Sequence, residues 1–244
     1  MNKKLDPQIA EGREFLQLLQ TQIIEKCIVE TEQFITRDLT ISKQVEHLGT
    51  TLSLLDRLAS CYWGCHKGDH MKQYLLGRAN TSASAAWILT RHGHYDAALG
   101  IARDIGEIAN LFMLFSSDAG AFERWKNSGD RVRMNDFKPS KVREALGKLN
   151  AGIPVGKTIY KVLSERATHV TPNTRPELHS HSNHPFPGGT FQEDGVRMCI
   201  THIGFAIGKT ALTATLLLRP AERQAESIYA AASALIDSSE ATQR

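Results

Sequence analysis

Apolar residues in this chain recur at steps of three, four and seven along almost its whole length, and no segment alternates with period two over a useful span. A helix returns side chains to one face about every 3.6 residues and a strand about every two, so this pattern admits helices and leaves no sheet to build. The strongest periodicity lies in "YDAALGIARDIGEIANLFMLFSS", residues 95–117. Residues 8–37 place Phe15, Leu18, Leu19, Ile23, Ile24, Cys27, Ile28 and Phe34 at the same steps. A second helix is expected from Thr40 to about Cys65, with Gly68 and Asp69 as stop and cap. A third covers 70–91, and Gly93 ends it before Tyr95 and Asp96 start the next.

Beyond residue 117 the pattern loosens. Residues 118–150 form a polar, basic excursion with short helices expected near 119–127 and 139–149, broken at Gly129 and before Pro139. Pro154 is expected to open a helix running to about 168. A loop at 171–191 follows, then a long helix over 193–218, a break at Pro220 and a last helix over 221–239. The fold class is therefore all-α, a bundle of about seven to nine helices in one domain over 1–244, with an N-terminal helical hairpin at 1–70 and a core at 71–244.

Composition narrows what such a bundle does. A length of 244 residues, 41% of them hydrophobic, suffices for a sizeable core. A net charge of +3 permits a polyanion partner without a concentrated basic stripe to argue for one. The four cysteines are too few for a disulfide scaffold, so a cytoplasmic setting is expected. The stretch "MCITHIGFAIGKTALTATLLL", 198–218, is long enough to cross a bilayer, but His202 and Lys209 sit inside it. It reads as a core helix, with no membrane partner.

Two clusters invite a metal reading. His179, His181 and His184 crowd together in "HSHSNH", but two-residue spacing on a loop is not a closed zinc site. Cys61, Cys65, His66 and His70 fall in "CYWGCHKGDH", yet the C-x3-C spacing departs from the specific zinc patterns. No metal or cofactor is expected from either. No G-x-S-x-G, P-loop or G-x-G-x-x-G stands in the chain.

The sharper signal is polar residues on apolar helices. Arg103 and Glu107, flanked by Leu99, Ile101, Ile105, Ile108 and Leu111, stand four apart and can pair on one face. Tyr160 and Ser164 are also four apart, with His169 at the end of their helix. These five residues are the candidate catalytic site if they converge on a cleft; the competing reading is a buried polar network that locks helix register.

"GHYDAALGIARDIGEIANLFMLF" followed by "YKVLSERATHVTP" resembles a bacterial helical family of unknown function that carries Arg-x-x-x-Glu and then Tyr-x-x-Leu-Ser ending in histidine, over roughly residues 75–175. Arg103, Glu107, Tyr160, Leu163, Ser164 and His169 match its positions. That family is similar to the HEPN superfamily, the nucleotide-binding helical bundles. The resemblance implies a HEPN-like core, RNA or a nucleotide as partner, a homodimer with its site at the interface, and a metal-independent ribonuclease in defence or stress response. In such an enzyme an arginine would stabilise charge on the scissile phosphate and a histidine would move a proton. The chain departs from the catalytic Arg-x4–6-His signature: Ser164 stands where its arginine would be. Literal matches occur at Arg175–His181 and Arg197–His202. The alternative is a non-catalytic interaction or regulatory module whose basic 124–148 segment meets a protein partner.

Overall fold

The computed structural model describes residues 7–64, 70–168 and 189–242, and among them there is helix but no strand. A long N-terminal rod comprises α1 (Pro7–Leu18), a π-helical stretch (Leu19–Ile24) and α2 (Glu25–Arg37). It is followed by α3 (Leu39–Ala59), α4 (Met71–Arg91), α5 (Tyr95–Ser117), α6 (Ala121–Asn127), α7 (Asp130–Asp136), α8 (Pro139–Lys148) and α9 (Lys157–Leu163), which continues as a π-helical stretch (Ser164–Thr168). The chain ends with α10 (Glu193–Leu218) and α11 (Glu222–Thr242). With the rod taken as one, ten separate helices stand among the described residues, one more than the upper end of the expected range.

The extra helix is α7, in the excursion where Gly129 was expected only to break the chain. Gly129 instead precedes a new helix whose first turn carries Asp130, an acidic residue at the positive end of the helix dipole. Two boundaries also move. The second helix ends at Ala59, short of Cys65, because the chain turns left-handed at Cys61 (φ 59°). Cys61 therefore stands past the helix end. Pro154 does not open α9; the helix begins at Lys157 behind an extended Gly156. Val155 is needed instead as a hydrogen-bonding backbone unit, described below.

The centre of the molecule is the pairing of α5 with α10, the most extensive helix contact, flanked by α4, α3 and α11. Leu99, Ala102, Ile105 and Phe112 of α5 and Ile200, Ile203, Ile207 and Ala211 of α10 are fully buried there. α10 approaches its neighbours through glycines. A Cβ at Gly204 or Gly208 would meet Ser239 or Ile236 of α11 within 2.8 Å. The apolar stretch noted in the sequence is thus the core helix, with 67% of its most apolar window buried.

Helix ends are fixed by specific groups. The Asp38 carboxylate accepts from the N–H groups of Thr40 (3.0 Å) and Ile41 (3.1 Å), capping α3. Tyr95, buried at the start of α5, accepts from the Gln192 N–H (2.9 Å) and donates to the Thr190 carbonyl, tying α5 to the entry of α10. Gly93 has φ +74° and lies 2.8 Å, measured from where a Cβ would sit, from the Thr190 backbone; only glycine fits both demands.

Candidate functional site

One face of α5 receives the segment 155–168. Gly100, Arg103, Gly106, Glu107 and Asn110 recur at steps of three and four, so they form a single stripe down that face. The stripe is small or polar on a helix otherwise buried in apolar contacts. Each member meets a residue of the arriving segment.

Near the C-terminal end of the stripe, Asn110 grips a peptide unit. Its Nδ2 donates to the Val155 carbonyl (3.0 Å), and its Oδ1 accepts from the Val155 N–H (2.9 Å). Both residues are buried, so the chain's only alternative to these bonds would be unpaired backbone. Gly106 makes room: a Cβ there would lie 3.1 Å from the Val155 side chain.

Two turns earlier, the charged cluster forms. Arg103 Nε donates to Ser164 Oγ (3.1 Å), Nη1 to Asp104 Oδ1 (3.1 Å), and Nη2 to the Tyr160 hydroxyl. Nη2 also lies 2.8 Å from Glu107 Oε1, and Tyr160 donates to the same oxygen (3.1 Å). Arginine, tyrosine and glutamate thereby close a triangle, with Ser164 buried at its edge. The structure thus brings together four of the five candidate residues: Arg103, Glu107, Tyr160 and Ser164. His169 lies outside the described residues.

Sequence reasoning missed Arg143. From α8 its guanidinium lies 4.4 Å from the Tyr160 ring centre, while that of Arg103 lies 4.6 Å from it. Arg143 Nη1 is buried with no hydrogen-bond partner among the described residues. No local spacing links residue 143 to the motif; only the packing of α8 on α5 brings it there. Asn110 had a signal, standing three residues past Glu107 and seven past Arg103.

Burial raises the Glu107 pKa, and the charge of Arg103 and the Tyr160 hydrogen bond only partly offset it. Burial, and then the Glu107 charge, raise Tyr160 as well. Glu107 and Asp104 line a groove of about 310 Å³ with Arg78 and Ser82. Chemically the cluster can hold α9 in register and present a weakly acidic carboxyl at a groove.

Arg197 and His202 do not form a unit. Arg197 pairs with Asp38 (2.5 Å) and lies over the Phe34 ring. His202 is influenced by Arg166 instead; burial first, then that charge, lower its pKa to about 4. Its Nδ1 is buried without a hydrogen-bond partner among the described residues, and Arg166 itself reaches Met198 Sδ (3.0 Å). Arg175–His181, the His179/His181/His184 group, Cys65, His66, Gly68 and Asp69 lie outside the described residues. Among the described residues no group of three or more His, Cys, Asp or Glu is placed to hold a metal ion.

Half of the basic residues of the excursion are paired within it. Arg124 pairs with Asp118 and Arg133 with Asp130, while Lys141 and Lys148 share Glu144. No protein-family model, no curated protein and no solved structure matches this chain.

Proposed function

We propose that this chain is a cytoplasmic helical interaction module, with a HEPN-like core, in which the Arg103 cluster is a structural clamp. The observation that carries the reading is the commitment of Arg103: each of its three nitrogens has a partner within the protein, and four of its five N–H groups are used. A guanidinium committed in this way could not grip a phosphate with two N–H groups without first breaking a bond. The two arginines of the cluster also face two carboxylates, Asp104 and Glu107, which offset their charge toward a polyanion. The clamp secures the helix that leads into the histidine-rich stretch, and a protein partner would read the surface so fixed.

A second reading has one specific observation in its favour. Arg143 holds a buried Nη1 with no hydrogen-bond partner among the described residues, beside Tyr160. That is a donor suited to a phosphate, as a metal-independent ribonuclease or an RNA- or nucleotide-binding protein of defence or stress response would need. His169 would then supply the proton transfer.

Cleavage of labelled cellular RNA and tRNA in EDTA separates the two, with the wild type, Arg143→Ala and His169→Ala run side by side. The module reading expects no cleavage by folded protein. Cleavage that survives EDTA and disappears in both variants would replace it with the ribonuclease.

A further inference from the structure

Another groove, of about 370 Å³, lies where α10, α11, the end of α5 and the segment before α9 come together. It shares no lining residue with the groove beside Glu107. Its volume falls within the range of small-molecule sites, roughly 300–1,000 Å³. Lys209, Leu212, Thr213 and Leu216 stand at steps of three and four on one face of α10 and form one wall. Ile153 belongs to a second wall, which the Asn110 clasp on nearby Val155 holds in place. Ile153 is 42% and Leu216 55% exposed, so the groove offers aliphatic surface to a ligand.

Lys209 is the single charged side chain among these lining residues. It is half-buried, and its ammonium lies 5.1 Å from the Phe205 ring centre. A phenyl face attracts a cation but does not neutralise it, and among the described residues no carboxylate stands within ion-pair distance of Lys209. The threonines of the lining direct their hydroxyl hydrogens to backbone carbonyls of α10, Thr213 to Lys209 (3.0 Å) and Thr215 to Ala211 (2.9 Å). The groove thus presents one cation beside apolar walls. Its match is a molecule with one negative charge at one end and an apolar body. A nucleotide would bring further charges and a polar body that these walls leave unpaired, and a cationic amphiphile would meet repulsion at Lys209.

We propose that this groove binds a small monocarboxylate with an apolar body, of the medium-chain fatty-acid kind, with its carboxylate on Lys209 Nζ and its chain along Leu212, Leu216 and Ile153. The site goes beyond the reading of the Arg103 cluster and stands whether or not that cluster is a clamp.

The test is calorimetric titration of the full chain at pH 7 with octanoate, octanol and octylamine. Octanoate is expected to bind at one site with a dissociation constant on the order of 100 µM, octanol about tenfold more weakly and octylamine not measurably. Lys209→Met is expected to bring octanoate down to the level of octanol, a loss of about tenfold, while Lys209→Arg keeps the preference for the acid. Leu216→Asp, at an exposed position, is expected to weaken acid and alcohol alike and tests the groove independently of Lys209. The methyl resonances of Met113 and Ile153 are expected to shift as octanoate is added. No binding at about 1 mM octanoate would overturn the proposal. So would octanol binding as tightly as octanoate, or an octanoate affinity indifferent to Lys209→Met. Binding that leaves the Met113 and Ile153 methyl resonances unmoved would place the acid elsewhere and overturn the site.

Discussion

The segment 155–168 is fastened to α5 twice, by two different kinds of chemistry. At Val155 the fastening is neutral: Asn110 exchanges two hydrogen bonds with one peptide unit inside a dry contact. At Tyr160 and Ser164 it is ionic and half-open, with the Arg103 side chain 16% and the Glu107 side chain 28% exposed. The neutral clasp has nothing to gain from water and no alternative partner. The ionic cluster is larger but carries the desolvation of its charges, which the raised pKa of Glu107 records. A clasp of few bonds can therefore hold more tightly than a cluster of many.

The largest effect should come from breaking the neutral clasp. Asn110→Ala leaves a buried N–H and a buried carbonyl of Val155 unpaired and should lower the unfolding free energy by about 2–4 kcal/mol, read from the urea midpoint. Acid should act next, at His202 of α10, which faces the far end of the same segment through Arg166. His202 has a folded pKa near 4, held down by burial and by Arg166, against an ordinary value of 6.5. The unfolded chain binds the proton more readily, so stability is lost as pH falls from about 6.5 to 4. The slope should reach up to about 1.4 kcal/mol per pH unit, and His202→Gln should flatten it.

Smaller effects test the ionic cluster itself. Ser164→Ala removes one acceptor of Arg103 and should cost about 1 kcal/mol; Tyr160→Phe removes a hydroxyl that both donates and accepts and should cost slightly more. If either exceeds the loss in Asn110→Ala, the ranking of the two fastenings is reversed. Glu107→Gln should have the least effect. The Glu107 pKa is raised in the folded protein, so its contribution is full below the ordinary carboxylate range and is lost as pH rises through the folded value. The urea midpoint of Glu107→Gln should therefore gain on that of the wild type between pH 4.5 and 7. A Glu107→Gln midpoint that instead falls behind that of the wild type over this range would show Arg103 outweighing burial.

Much of this was readable from residue order because it is local. The pairs Arg103–Glu107 and Tyr160–Ser164 each lie one helical turn apart, so recognising the helices puts each pair on one face. α10 was legible as a core helix because two ionisable groups interrupt an otherwise apolar run. Boundaries failed where backbone conformation overrode pattern. Cys61 turns left-handed while apolar spacing still suggested helix, and Pro154 does not open the helix, because Val155 is claimed by Asn110.

What the sequence by itself determined is the all-helical class, the central stripe of α5 and the polar pairs upon it, since these follow from a periodicity that side-chain direction imposes on a single helix. Tertiary structure alone decided which stripes meet. It brought Arg143 to the ring of Tyr160, turned Arg197 toward Asp38 and away from His202, and left α1 outside the core. Those outcomes depend on how helices distant in the chain cross, and crossing is set by glycine gaps and buried volume summed over the whole bundle, a quantity no local spacing carries.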